Sequence, residues 1–285
     1  MPNKQNDEFN NLVDFVEENN AKNKVPPKKR KKIIIILANI LTIALLVGGG
    51  FGIKTLMDQK QDIKDIKTLQ QSVLNNSFEV DYEGIFNEDI ENKKLLEYRE
   101  SFKSLVNQNS DTVGWLKIKN TRIDLPIVQG KTNNYYLNKD FNKKYNSMGW
   151  VFADYRNHFD TLDQNTSIYG HTYKDTIMLS SLQYVLRDSW LNNKDNYIIE
   201  FNTLKYPHKW EIFSIYTIKE TNDYLRTRFV ADDFNKFIDK IKKRSIKDFN
   251  VEVNENDKIL TISTCYIDTN HRLVVHAKLM DDSNA

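Results

Sequence analysis

Three textures of hydrophobic pattern follow one another along the chain. Ile33 to Ile53 is an apolar run without a charged side chain, in which Asn39 and Thr42 are the only clearly polar side chains. At about 1.5 Å of rise per residue such a run spans roughly 30 Å as a helix, the thickness of a bilayer core. From Met57 to Asn75 apolar residues recur at helical spacing, at Ile63, Ile66, Val73 and Leu74. A second helix is predicted from about Asn87 to Asn107, where Leu95, Tyr98, Phe102 and Leu105 share one face. From Val113 the pattern shortens to β-like runs between turn residues. They are Trp115–Ile118, Arg122–Val128, Trp150–Ala153, Thr166–Tyr169, Tyr197–Phe201, Lys209–Thr217, Lys258–Thr264 and Leu273–Met280. Short strands in this number predict a mostly β fold, a barrel or a sandwich. Pro126 inside the second run marks an edge or a bulge, because proline cannot donate to a ladder. Two helices interrupt the strands, at about Thr176–Leu186 and about Asp232–Arg244. The latter has an apolar stripe of Phe234, Phe237, Ile238 and Ile241, and a basic back of Lys236, Lys240 and Lys243 that reads as a solvated face.

Charge gives the apolar run its meaning. The chain of 285 residues has a formal net charge of +2, but residues 1–32 alone carry +3, with Lys28–Lys32 immediately before the apolar run. By the positive-inside rule the N-terminus stays in the cytoplasm and the rest is exported. A cleaved signal peptide fits less well: the apolar stretch and the segment before it are too long, and no A-x-A site follows. The expected organisation is a cytoplasmic tail over 1–32, a single-pass anchor over 33–53, an extracellular helical stalk over 54–83 and a catalytic domain over 84–285. Nothing in the nearly neutral remainder argues for nucleic acid as a partner.

The candidate chemistry centres on Cys265, the single cysteine. The chain has no Walker loop, no G-x-G-x-x-G, no H-E-x-x-H and no C-x-x-C, and His158, His171, His208, His271 and His276 lack metal-ligand spacing. Neither a metal nor a cofactor is therefore expected. An exported lone thiol cannot form an internal disulfide and stands open to oxidation, which marks it as reactive. Side chains alternate faces along a strand. Leu260 and Ile262 then point to the core, and Thr261, Ser263 and Cys265 away from it. In the next run Leu273, Val275, Ala277 and Leu279 make the apolar face, and Arg272, Val274 and His276 the opposite one. If the runs are neighbours, the two outer faces form one surface, with Cys265 and Arg272 at the ends of a loop, Tyr266–His271. A thiol with a free pKa of roughly 8.5 needs a base to become a nucleophile, a histidine can take its proton, and an arginine can hold an oxyanion. His171 ends a predicted strand after Gly170, while His271 and His276 are candidates by position alone. A papain-like peptidase is disfavoured, since its cysteine begins a helix and this one ends a strand.

The segment Thr261-Ile262-Ser263-Thr264-Cys265 resembles the T-L-x-T-C signature of sortases, with Ile in place of Leu. Arg272-Leu273-Val274-Val275 is similar to the strand carrying that family's arginine, and Tyr169-Gly170-His171 to its histidine motif. Asp111-Thr112-Val113-Gly114-Trp115-Leu116 and Asp154-Tyr155-Arg156-Asn157 resemble class B segments, and the likeness extends over roughly residues 84–280. It implies an eight-stranded sortase β-barrel with N-terminal helices and a helix in the connection between its sixth and seventh strands. It also implies a cysteine transpeptidase that cleaves a sorting signal after Thr through a thioacyl enzyme and passes the product to a peptidoglycan-precursor amine. Cys265 would be the nucleophile, His171 the acid/base and Arg272 the oxyanion or carbonyl ligand, with Ser263, Thr264 and Tyr266 along the substrate groove. The partners implied are sorting-signal-bearing surface proteins, the amine acceptor and the membrane. With the anchor, the abundance of Asn, Lys and Ile fits a Gram-positive cell surface. Few residues follow the last strand, so no C-terminal membrane segment is expected. The alternatives are a pilin-polymerising sortase and a catalytically silent, membrane-tethered barrel that binds peptide or cell wall.

Overall fold

The computed structural model describes residues 27–75, 77–85, 91–173, 177–230, 233–266 and 268–280; the side chains of 27–31, 33, 34, 38, 40, 43–47, 83, 91, 92, 265, 266, 268 and 269 lie outside that description. Eight strands alternate with helices in this order: β1 (Thr112–Ile118), β2 (Asp124–Val128), β3 (Phe152–Ala153), β4 (Asn165–Gly170), β5 (Ile198–Thr203), β6 (Lys209–Lys219), β7 (Ile259–Tyr266) and β8 (Asp268–Leu279). They close a barrel in the order β1-β2-β3-β4-β7-β8-β6-β5. The eight apolar runs each became a strand, and the ladder register explains why they close. One face continues from strand to strand: Leu116 faces Phe201, Ile212 faces Ala277, Leu260 faces Ala277, and Ile262 faces both Val275 and Ile168. All of these are fully buried, as expected for the lining of a small barrel filled by its own side chains. Pro126 sits in β2 opposite Trp115, and on its other side β2 meets β3 at a single bridge, Val128↔Phe152. A register shift in β1 between Thr112 and Gly114 lies near the same seam.

The chain divides into two compact units, Met1–Asp58 and Gln59–Ala285. Helix α1 (Pro27–Leu74) runs through the apolar segment and beyond it. Within 33–53, Ile35, Ile36, Leu37, Leu41, Phe51 and Ile53 are exposed. Among the described residues no helix is long and apolar enough to cross a membrane; many side chains of 33–53, and all of residues 1–26 of the expected tail, lie outside the described residues. In the second unit Ile66 and Val73 of α1 are buried. Next come α2 (Tyr82–Ile85), α3 (Glu91–Ser101) and α4 (Lys103–Gln108). The single helix expected over 87–107 is thus broken at Phe102, which packs edge-on against Phe78 and Tyr98 at 4.9 and 5.5 Å. The Tyr98 hydroxyl donates to the Thr203 carbonyl and ties α3 to β5.

Two further expectations change. Of the α-helix expected at about 176–186, residue 176 lies outside the described residues and Met178–Leu186 is a 3-10 helix. Its serines serve other segments: Ser180 Oγ accepts from Tyr173 N at 2.7 Å and Ser181 Oγ from Arg122 N at 3.0 Å. A short helix, α5 (Asp188–Leu191), follows it. The second change concerns α6 (Asp233–Arg244), which does carry the expected buried stripe of Phe234, Phe237, Ile238 and Ile241. It lies over the outer face of the barrel, where Ser214 Oγ of β6 donates to the Ile241 carbonyl at 2.7 Å. Thr261 and His276 are therefore fully buried rather than part of an open surface.

Candidate active site

Strand pairing brings three distant residues into one row. β4 runs parallel to β7, with Tyr169 level with Ser263 and Gly170 with Thr264. His171 is the next residue after Gly170, which puts it level with Cys265. β8 runs antiparallel to β7 and places Arg272 directly opposite Cys265. With strands roughly 4.8 Å apart, Arg272 on β8 and the end of β4, which leads into His171, flank the backbone of Cys265. The side chains of Cys265 and Tyr266 lie outside the described residues. The loop expected over Tyr266–His271 is mostly ladder, since β8 begins at Asp268 and Tyr266 pairs with it.

Local contacts hold this row. A Cβ on Gly170 would stand 2.9 Å from the Leu179 side chain and 3.2 Å from that of Val151, so glycine lets these side chains pack close against β4. Thr264 Oγ1 donates to the Gly170 carbonyl at 2.7 Å and lies 2.5 Å from Thr172 Oγ1. Thr264 thus fastens β7 to the histidine strand. His171 is half-buried, and its Nε2 lies 3.1 Å from the Leu137 carbonyl. A carbonyl only accepts, so this bond puts the imidazole proton on Nε2 and leaves the Nδ1 lone pair for proton exchange. Burial pushes the His171 pKa below its ordinary value; the Leu137 bond opposes this, and the positive charge of Arg272 adds to the lowering. Burial and the Arg272 charge both favour the neutral imidazole. Arg272 has a side chain 18% exposed, and its Nη2 lies 2.7 Å from Glu220 Oε1. Its Nη1 donates to the His271 carbonyl at 3.1 Å.

His171, Arg272, Ser263 and Thr264 line one groove of about 730 Å³. His276 is fully buried beneath α6, bonded to Tyr216 Oη and Thr261 Oγ1 at 2.9 Å each. Burial pushes its pKa down to about 3. His271 offers its carbonyl to Arg272 and is not among the groove-lining residues. Of the three histidines open by position, only His171 reaches the groove.

Much of the groove escaped sequence reasoning. One wall is the connection after β6, with Glu220, Tyr224, Leu225 and Arg226; the other includes Asn133, Leu137, Asp154 and Arg156. Asp154 is fully buried, and Arg156 grips it with Nε at 2.8 Å and Nη2 at 2.7 Å. Tyr169 Oη and Asn133 Nδ2 donate to Asp154 Oδ2 at 2.8 and 3.0 Å. Burial raises the Asp154 pKa, but these bonds outweigh it and hold the carboxyl below its ordinary range. Arg156 Nη2 also donates to the Leu225 carbonyl at 2.9 Å, bracing one wall against the other. The Asp154-Tyr155-Arg156 alternation was a visible signal for this brace. Asn133 and Tyr224 had none, because they lie on irregular connections. Among the described residues no cluster of three or more His, Cys, Asp or Glu could hold a metal ion.

A family profile described as Sortase domain matches residues 116–280. The chain is 33% identical over 249 residues to sortase B of Staphylococcus aureus, covering 86% of this chain and 96% of that protein. Among solved structures, the Staphylococcus aureus sortase B–substrate complex is similar at a TM-score of 0.63 and 34% identity, over 79% of this chain and 99% of that one. A sortase B complexed with triglycine is similar at a TM-score of 0.63 and 33% identity, over 78% and 98%.

Proposed function

Because the chain belongs to the sortase family and is a cysteine transpeptidase of the class B type, we propose that it cleaves the C-terminal sorting signal of secreted proteins after a threonine and passes them to an amine of a peptidoglycan precursor. The observation that carries this reading is strand pairing that sets Cys265 opposite Arg272 and beside the end of β4, which leads directly into His171, with His171 and Arg272 both lining one groove.

The Cys265 sulfur attacks the threonine carbonyl, and its proton goes to Nδ1 of neutral His171. The developing oxyanion is held by Arg272, whose guanidinium is always charged and is kept in place by Glu220 and the His271 carbonyl. The tetrahedral species collapses as the peptide nitrogen leaves with the proton from His171, giving a thioester and a free amine. The acceptor amine then attacks the thioester, losing its proton to His171, and the thiol is released. Ser263 and Thr264 line the groove, and Tyr266 follows Cys265 at the end of β7. A glycine-type amine is the favoured acceptor class, by analogy with the triglycine-bound relative. The basic cluster before residue 33, the uncharged run to residue 53 and its exposed apolar side chains support a single-pass anchor with the catalytic unit outside the cell.

The test is turnover of labelled peptides with Thr–Gly or Thr–Asn bonds by the full chain in detergent micelles, with triglycine or hydroxylamine to capture the acyl product. Cleavage and capture are expected, with none in Cys265→Ala and severe loss in His171→Ala and Arg272→Ala. Undiminished turnover in Cys265→Ala would overturn the assignment. Protease shaving of intact cells tests the topology: protection of residues 59–285 would refute it.

A further inference from the structure

The part of α1 within the barrel-bearing unit carries polar contacts that the chemistry above does not use. Asp62 is half-buried, and its Oδ2 accepts from Ser147 N at 3.1 Å and from Ser147 Oγ at 2.5 Å. Its backbone carbonyl accepts from Asn146 Nδ2 at 3.1 Å. One helical residue thus clamps both members of the Asn146–Ser147 pair, in a connection without strand or α-helix of its own. That pair leads to His171 by two routes. Asn146 N donates to the Asn138 carbonyl at 3.1 Å, and the neighbouring residue, Leu137, is the one whose carbonyl takes the His171 Nε2 proton. The Ser147 carbonyl accepts from Tyr173 Oη at 3.1 Å, and the Tyr173 ring lies 5.7 Å from the His171 ring, tilted by 54°. Both groups that fix the imidazole, a carbonyl at one nitrogen and an aromatic ring at its side, therefore hang on a segment that Asp62 holds. Gln70, two turns further along α1, accepts from Met178 N at 3.5 Å, close behind the histidine loop.

We propose that Asp62 is a positioning residue for His171, so that the helix leading into the barrel unit sets the tautomer and orientation of the acid/base imidazole. The inference rests on the reading of His171 as that acid/base. A small misplacement of such a group lowers turnover without weakening ground-state binding. Removing the clamp releases the Asn146–Ser147 end of the 137–147 connection, while Trp150 N to the Tyr136 carbonyl and Asn109 Nδ2 to the Phe141 carbonyl still hold the rest, and lets the Leu137 carbonyl shift. The Nε2 proton then loses its fixed acceptor, and the neutral tautomer and the titration of His171 both change.

The test uses the full chain in detergent micelles, labelled with 15N-histidine, with His171→Gln to assign the imidazole signal. Asp62→Ala is expected to lower kcat about tenfold at unchanged KM and to shift the His171 titration and tautomer signals. Asp62→Asn, which keeps an acceptor oxygen toward Ser147, is expected to restore both. Ser147→Ala removes only the hydroxyl donor and serves if Asp62→Ala does not fold; it is expected to move the same signals in the same direction by less. Combining Asp62→Ala with Tyr173→Phe should lower kcat by less than the product of the single effects, because both act through one connection. Unchanged kcat and unchanged His171 signals with only a lower melting temperature would overturn the proposal, as would failure of Asp62→Asn to rescue. If instead His171→Ala keeps its turnover, the acid/base reading fails, and the imidazole signals still report whether Asp62 positions that ring.

Discussion

The two ends of the β7–β8 pair carry the same kinds of side chain and end in opposite environments. Toward the start of β7, Thr261 faces His276 across the ladder; toward its end, Cys265 faces Arg272. Both positions belong to the polar face that alternation sets against Leu260, Ile262 and Val275. Thr261 and His276 nevertheless have no exposed surface, while Arg272 borders a groove of about 730 Å³. The difference is what lies on top. Helix α6 covers the first pair with Phe237, whose ring meets the His276 ring edge-on at 6.3 Å, and no residue of α6 lines the groove beside the second. Alternation fixes which face a residue is on. Coverage by a distant element decides whether that face does chemistry or holds the fold together.

The strongest way to break this contrast is to truncate the two histidines in turn. His171→Ala is expected to lower kcat by roughly 10²- to 10⁴-fold, the usual weight of a positioned acid/base, with the melting temperature unchanged. His276→Ala is expected to do the reverse. It opens a cavity and strips Tyr216 Oη and Thr261 Oγ1 of a partner, at a cost of about 3 kcal/mol in stability. The molecules still folded should turn over normally. Peptide turnover and urea melts on the same samples read both effects, and an inactivating His276→Ala that leaves stability intact would collapse the distinction.

Acidification sharpens the contrast more gently. Above pH 6.5 His276 is neutral folded or unfolded and contributes nothing. As pH falls below that value the unfolded chain takes up a proton, whereas the folded chain does not until about pH 3. Stability therefore declines across that window, by up to about 1.4 kcal/mol per pH unit for one group. His171 and His208, both with lowered pKa values, act in the same direction. His276→Gln keeps hydrogen-bonding atoms but does not titrate, so its stability should fall less steeply than that of the parent between pH 6.5 and 4. Parallel slopes in urea melts at stepped pH would show that the buried imidazole is not the sensor.

How much of this was legible in the chain depends on range. Strand number and the lining face of the barrel follow from local alternation, and every predicted run became a strand because its apolar residues meet partners in register. The motif residues His171, Cys265 and Arg272 could be matched to a family, and parallel pairing of β4 with β7 gives a physical reason for their convergence. Burial of Thr261 and His276 was not legible, since it depends on where α6 lies. Nor were Tyr224, Asn133 and Asp62, whose roles come from contacts across 22 to 85 positions: Asn133 to Tyr155, Asp62 to Ser147. No periodicity encodes such pairs. The helix expected at about 176–186 is the 3-10 helix Met178–Leu186, a difference in hydrogen-bond span that apolar spacing does not encode.

The smallest effect is expected where the two regions touch. Tyr224 is 2% exposed, its ring edge-on to Tyr216 and His276 at 6.4 and 6.5 Å, yet it also borders the groove, and its hydroxyl lies 2.9 Å from Ser263 Oγ. This bond joins the covered cluster to the open floor, two residues before Cys265. One neutral hydrogen bond contributes about 1 kcal/mol. Ser263→Ala and Tyr224→Phe are each expected to lower kcat/KM by about fivefold. The double variant should be little worse than either, because both singles delete the same bond. A full multiplicative loss would place the two hydroxyls in separate tasks. A loss of stability without any change in kcat/KM would assign Ser263 to the covered cluster and move the boundary between the two regions one register step closer to Cys265.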